Sequence, residues 1–377
     1  MPINEPYCDF TLLVDGKQAF PAILEAIGRA EKSIDINMFI WRDDGIGNRM
    51  AEAVLAAAER GVAVHLSIDR YGVVLEKCEE SKRSFFHKTQ TLAEKVKIKA
   101  LELCYPMPGA PQKAADVESA LYRRLVTHPR VTVSCDEFKA DHSKYYIIDE
   151  RVIFLGGINV EDKENGADLQ GRVYQDYMVR MEGESHVRAF RAKIYEGREA
   201  AGGYTFGINK KQLSLFEMEE KYLSVIREAK ETLLITMAYF SPLPRFVDAI
   251  VQAYRRGVRV TVMIPERANF QNDTNRKTVR RLLKRTENGI TVLLSPKMLH
   301  TKLVASEKTL SLGSTNITKK AFRQLDELNL FVENIPCAFC EACLASVREN
   351  HAAARRAVSY QEIHYRKPYA FFEGFLV

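Results

Sequence analysis

The sequence predicts an α/β fold in two pseudo-repeated halves, each an α/β/α sandwich. Three observations carry that expectation. A motif recurs: residues 142–159 read HSKYYIIDERVIFLGGIN and residues 300–316 read HTKLVASEKTLSLGSTN. The surroundings recur too, with SIDINMFIW (33–41) matched by TLLITMAYF (232–240), and AAERGVAVHLSID (57–69) by AYRRGVRVTVMIP (253–265). Strand-like and helix-like stretches alternate through both halves, the pattern of helices layered on a sheet. Twin copies of a His/Lys/Asn set imply two half-sites facing one phosphate, and so one active site shared at the interface of the halves.

Each element has a local reason. The runs at 33–41 and 232–240 are β-rich. Helical patterns follow them, led by Asp44 as a cap and by the Pro242–Pro244 segment. Arg60-Gly61 and Arg256-Gly257 read as helix stops before the next strands. The apolar runs Tyr145–Ile148 and Leu303–Ala305 fit buried strands. His142 and Lys144, like His300 and Lys302, fall on one face if the strand includes them. Between the repeats the spacing differs: 82 residues from Arg60 to His142, but 44 from Arg256 to His300. The first half therefore carries an insertion within 71–140, with Phe85, Phe86, Leu101, Leu103 and Tyr105 and a turn-rich 106–111. It leads into the motif strand, which suits a lid or substrate selector; the alternative is a helix pair packed outside. Small residues at 198–207 suggest the junction, dividing the chain into 1–203 and 204–377. The aromatic tail 364–377 either touches a membrane or packs back on the molecule, packing being the expectation.

Composition bounds the function. The chain has 377 residues, 46% of them hydrophobic, enough for a large core. No 18-residue apolar run is present, and the first residues do not read as a secretory leader. Seven unevenly spread cysteines fit a reducing compartment. Pro336 reads as a helix start, and Cys337, Cys340 and Cys343 then fall on roughly one helical face as core thiols; a metal reading lacks a fourth ligand. The net charge of +6 favours anionic partners, phospholipid surfaces or nucleic acid. Residues 275–285, NRKTVRRLLKR, hold six Arg or Lys and no acid, a cationic face suited to an anionic bilayer or simply solvated.

The motif chemistry is that of a phosphodiester. Lys144 and Lys302 are compact cations for nonbridging oxygens, and Asn159 and Asn316 add amide donors. His142 and His300 can serve as nucleophile and general acid near neutral pH. Charge building up in the transition state would be offset by the lysines and asparagines, so no metal and no cofactor is required.

On these residues the sequence resembles the phospholipase D superfamily, whose duplicated signature is HxKxxxxDxxxxxxGxxN. The first copy (His142, Lys144, Asp149, Gly156, Asn159) matches throughout; the second has Glu307 for Asp. The resemblance runs from about Phe10 to Glu333. It implies that Asp149 and Glu307 support the strand turn, that His142 forms a phosphohistidine and that His300 is the acid and base. It also implies a carboxylate on each histidine. Asp176, 34 residues after His142, and Glu327, 27 after His300, fit by position, with Asp326 and Glu333 as alternatives to Glu327. The segment LLVDGKQAFPAILEAIGRAEKSIDINMFIWRDDGIG is similar to the opening of bacterial cardiolipin synthases. That similarity implies phosphatidyl transfer between phospholipids or to an alcohol, with phospholipase D-type hydrolysis as side reaction, by a cytoplasmic protein peripheral on the inner membrane face. The alternative is a phosphodiesterase or nuclease of the same superfamily acting on nucleic acid; a non-catalytic scaffold conflicts with intact His and Lys in both copies.

Overall fold

The computed structural model describes residues 10–110, 117–199, 203–333 and 337–376. Leu13–Arg188 forms one compact unit, and the chain from Ala189 onward groups with the residues before Leu13 as the other. The division falls within the helix Glu184–Glu196. Of the expected junction at 198–207, residues 200–202 lie outside the described residues.

The first unit, with Phe10–Leu12 leading into it, is built on a seven-stranded sheet. Its spatial order is Phe10–Val14, Tyr177–Glu182, Val152–Gly156, Tyr145–Ile148, Ser33–Met38, Ala63–Ile68 and Val131–Ser134. The last three run parallel, and Tyr145–Ile148 is antiparallel to Ser33–Met38. The second unit repeats this order as Tyr204–Lys210, Glu327–Glu333, Thr309–Gly313, Lys302–Ser306, Thr232–Met237, Arg259–Pro265 and Thr291–Ser295. It adds edge strands Leu215–Phe216 and Arg355–Ala357. The duplication thus includes the opening strand of each half, which shows no sequence likeness. Each unit has its own apolar core, around Phe20, Ile36, Leu66 and Tyr146 in the first and Tyr222, Ile235, Phe246 and Leu282 in the second.

Local chemistry repeats with the fold. Asp44 caps the helix Gly45–Glu59 by accepting from Gly47 N at 3.0 Å, and Pro244 opens the helix Pro244–Arg255. Gly61 and Gly257 have φ of +100° and +91°, the left-handed turn that favours glycine. The arginines before them fold back on the preceding helix end. Arg60 donates to Ile27 O at 3.0 Å, and Arg256 to Arg227 O at 2.9 Å. Main-chain carbonyls left over at a helix terminus gain a cationic donor in this way.

Segment 71–140 divides into two parts. Helix Ala120–Thr127 and strand Val131–Ser134 belong to the shared frame, matching Asn272–Arg285 and Thr291–Ser295. The helices Val73–Cys78 and Leu92–Cys104 have no counterpart. Phe85 and Phe86, between the two helices, are buried against Trp41, the latter edge-on at 5.4 Å, so that stretch is packed core.

Two details of the sequence reading change, and a third, the packing of the tail, holds. Pro336 lies outside the described residues, and Cys337 is the N-cap of helix Ala338–Ala353, accepting from Cys340 N at 3.3 Å. Only Cys340 and Cys343 are buried, and burial pushes both thiols up. Within 275–285, Arg276 donates to Glu266 O at 2.7 Å and Arg280 to Tyr360 O at 2.7 Å and Ile363 O at 2.9 Å. Lys277, Arg281 and Lys284 are the exposed cations of that helix. The tail helix Lys367–Leu376 packs on Asn272–Arg285, with Glu373 accepting from Thr274 N at 2.7 Å. Its Phe371 and Phe372 nonetheless stay exposed, because they lie off the face carrying Ala370 and Glu373.

Candidate active site

In the first unit the motif residues gather where the parallel strands end. Strand pairing begins at Tyr145 opposite Asn37, so His142 and Lys144 sit just ahead of the strand rather than on it. The reason is local: Asn37 Nδ2 donates to Ser143 O at 3.0 Å and to Ser143 Oγ at 3.1 Å, replacing the ladder. Ser143 also donates through N to Asp141 Oδ1 at 3.0 Å, and Asp141 N donates to Asp69. His142 and Lys144 are both buried. Lys144 Nζ donates to His142 O at 2.5 Å. Phe39 supports both: its ring meets His142 edge-on at 4.8 Å and lies 5.1 Å from the ammonium.

The second unit repeats the arrangement with different neighbours. Lys302 begins its strand opposite Met237, and its ammonium donates to His300 O. Tyr239 stands edge-on to His300 at 6.3 Å, and its hydroxyl donates to Asn269 at 2.9 Å. Asn275 fixes this loop, accepting from Phe240 N at 2.7 Å and donating to Ala238 O at 2.8 Å.

Strand register places the candidate acids. Gly156 pairs with Met178, and Gly313 with Asn329. Two residues earlier on the outer strands stand Asp176 and Glu327, so these occupy equivalent places. Both are buried. Asp326 instead pairs with Lys210 at 3.0 Å, and Glu333 lies at the far end opposite Thr309. Asp176 rests on Gly157: a Cβ there would lie 2.2 Å from its carboxylate. At the matching position Ser314 uses its hydroxyl, donating to Glu327 at 2.5 Å. Asp176 also accepts from Tyr177 N at 2.8 Å.

The asparagines differ in their anchors. Asn316 Oδ1 accepts from Tyr239 N at 3.2 Å, leaving its NH2 as the donor end. Asn159 Nδ2 donates to Glu161 at 3.3 Å, and its buried Oδ1 has no partner among the described residues. Glu161 belongs to a buried charge cluster that sequence reasoning missed. Arg42 donates to Glu161 at 2.6 Å, to Glu79 at 2.8 Å and to Glu76 O at 2.9 Å, and Lys163 reaches Glu79 at 2.6 Å. Burial alone would lower the pKa of Arg42 and Lys163, but Glu161 and Glu79 drive both up. The cluster ties the inserted helix Val73–Cys78 to Asn159. In the second unit Ser241 and Thr318 take the places of Arg42 and Glu161.

The motif acids are supports. Asp149 accepts from Glu31 N (2.9 Å), Lys32 N (2.7 Å) and Ser33 N (3.0 Å). Glu307 accepts from Lys230 N, Glu231 N and Thr232 N at 3.0–3.2 Å. The second copy also departs in turn length: three residues link Ile148 to Val152, two link Ser306 to Thr309. The extra methylene of Glu307 restores the reach to the same three donors. Burial works against these carboxylates, yet the N–H donors pull both pKa values below their usual range. A depressed pKa contributes stability present above the unfolded-state pKa and lost as pH falls through the folded one. Asp149→Asn and Glu307→Gln are therefore expected to flatten part of the fall in melting temperature below about pH 4. A titration by calorimetry with unchanged slope in both variants would refute this role.

Residues 23–193 and 222–341 match the family model described as cardiolipin synthase, PLD-like domain. Cardiolipin synthase B of Escherichia coli (strain K12) is 28% identical over 274 residues, covering 67% of this chain and 59% of the relative. Cardiolipin synthase 2 of Staphylococcus epidermidis (strain ATCC 12228) is 26% identical over 349 residues, covering 86% and 64%. The chain thus spans under two thirds of either relative's length. Among solved structures, phosphatidylserine synthase of Haemophilus influenzae Rd KW20 is alike in fold, with TM-score 0.66 and 13% identity over 98% of this chain and 91% of that one. A polyphosphate kinase from Porphyromonas gingivalis is also alike, with TM-score 0.53 and 10% identity over 97% and 52%. With both halves matched by one family model and both motifs seated on the same strands of a repeated sheet, this chain belongs to the phospholipase D-like family of cardiolipin synthase domains.

Proposed function

We propose that the protein transfers phosphatidyl groups between phospholipids or onto an alcohol, with hydrolysis where water replaces the acceptor. The observation that carries this is the register-matched duplication of His, Lys, Asn and carboxylate. One histidine is needed to attack phosphorus and another to protonate the leaving alcohol. In this reading His142 forms the N–P bond as the P–O bond to the leaving group breaks. His300 supplies the proton, then takes one from the acceptor as it attacks the phosphohistidine. Lys144, Lys302, Asn159 and Asn316 hold the nonbridging oxygens, and Asp176 and Glu327 orient the histidine of their own half. The cardiolipin synthase relatives support a phospholipid as substrate, met by reversible contact with the inner membrane face. Among the described residues no helix is long and apolar enough to cross a membrane.

The test is incubation with phosphatidylglycerol, phosphatidylethanolamine and single-stranded DNA, with products identified by mass spectrometry. Cardiolipin or phosphatidic acid is the expected product. Cleaved DNA beside intact lipid would replace this reading with the nuclease one, to which the exposed Lys277, Arg281 and Lys284 would then be suited. Turnover is expected to persist in excess EDTA, because lysine and asparagine donors neutralise the phosphate. Loss with EDTA that one specific metal restores would overturn the metal-free step.

A further inference from the structure

The inserted helix Leu92–Cys104 carries its apolar residues on the wrong side for a core. Leu92 is 80% exposed, Val96 62% and Leu103 83%, while Glu94 and Ile98 are the buried positions. At 3.6 residues per turn the three exposed residues fall within about 40° of one another, a single outward stripe. Lys99 and Lys95 border it on one side; on the other Ala100 and Ala93 widen it, and Lys97 lies about 100° beyond Val96, all exposed. Phe138, 55% exposed, stacks on Arg70 beside the start of the helix.

The helix is held firmly in this orientation. Thr91 and Glu94 form a capping box at its first turn. Arg70 donates to both Glu94 oxygens, at 3.0 and 3.2 Å, and to Thr89 O at 3.0 Å. Lys82 takes Glu102 at 2.7 Å. Both acids of the helix are thereby neutralised. Arg70 directly follows Asp69, which accepts from Asp141 N next to His142. The stripe is thus tied through three residues to the motif histidine of the same unit.

We propose that this stripe is the membrane-docking surface of the protein, and that its occupant is an anionic phospholipid bilayer. The inference rests on the phospholipid reading above and names the surface that serves it. An apolar ridge edged by lysines matches the acyl–headgroup boundary: leucine and valine enter the apolar layer while ammonium groups stay among the phosphates. The lysines decide against a second copy of the chain, since two such ridges face to face would bring like charges together, whereas anionic lipid neutralises them.

The experiment is vesicle co-sedimentation of the full chain with phosphatidylglycerol-containing and pure phosphatidylcholine vesicles, at low and high salt. Three variants are compared with wild type: Leu92→Ser/Val96→Ser/Leu103→Ser, Lys95→Gln/Lys97→Gln, and Val96→Trp. The first two are expected to weaken binding to anionic vesicles at least about tenfold, the second chiefly at low salt, where charges act beyond the about 8 Å physiological screening length. Both should leave hydrolysis of a soluble nitrophenyl diester unchanged. The indole of Val96→Trp should shift to the blue when vesicles are added. Wild-type binding by the serine variant together with no blue shift overturns the proposal, as does a serine variant that loses only self-association in sedimentation. Transfer assayed in detergent separates the two readings. Lipid turnover there with vesicle binding unaffected by the variants sinks the surface alone, while no lipid turnover in detergent sinks the phospholipid reading.

Discussion

His300→Ala is expected to accumulate a phosphorylated protein, and His142→Ala to form none. The reasoning is chemical. A nitrophenolate leaves without help from an acid, so His142 can still attack such a diester when His300 is gone. Resolving the phosphohistidine by water needs a base, and that base is then missing. Turnover of phospholipid, whose leaving alkoxide does need a proton, should fall about ten-thousandfold or more in either variant. Intact-mass measurement at alkaline pH, with a nitrophenyl diester as probe, reads both outcomes. Full turnover in either single variant would show that one half works alone. A phosphorylated His142→Ala protein would exchange the roles of the two histidines.

The second large effect is on stability. Arg42→Met should cost about 3–5 kcal/mol, because it strands Glu161 and Glu79 in the interior with Lys163 as the remaining cation of the cluster. Urea denaturation gives the loss directly. The matched substitution Ser241→Ala in the second half removes no charge and should cost under about 1 kcal/mol. A loss below that for Arg42→Met would mean that the cluster relaxes into water. Because Glu161 also accepts from Asn159, the variant should lose transfer activity at temperatures where it remains folded.

Much of this was legible in the sequence, and the limits have physical causes. Both motif strands announced themselves because every residue of Tyr145–Ile148 and Lys302–Ser306 is buried, which forces apolar runs. Glu327 could not be told from Asp326 by spacing alone. Adjacent residues point to opposite faces of a strand, and only the pairing of Gly313 with Asn329 says which face meets the motif. Arg42 stood in a recognisable turn, but its partners Glu79 and Glu161 lie 37 and 119 residues away, beyond any local pattern. The helix 275–285 showed six cations as one class. The fold sorts them: Arg276 donates to Glu266 O and Arg280 to the carbonyls of Tyr360 and Ile363, while Lys277, Arg281 and Lys284 stay in water. Phe39 lay inside a quoted strand-like run, and nothing in its neighbours marks it as the ring on which His142 and Lys144 rest.

Each motif lysine lends its ammonium to the carbonyl of the histidine it serves. In the transfer proposed above, that bond serves as a placeholder. There an incoming phosphate exchanges a neutral acceptor for an anionic one, which adds charge–charge attraction to the bond, so the exchange runs toward substrate. When product departs, the carbonyl receives the ammonium again, and no bare cation is left clinging to the leaving anion. In the proposed transfer, where one phospholipid product leaves before the next substrate enters, such a resting position lets the grip on phosphate be strong during the reaction and still be given up at the end of each cycle.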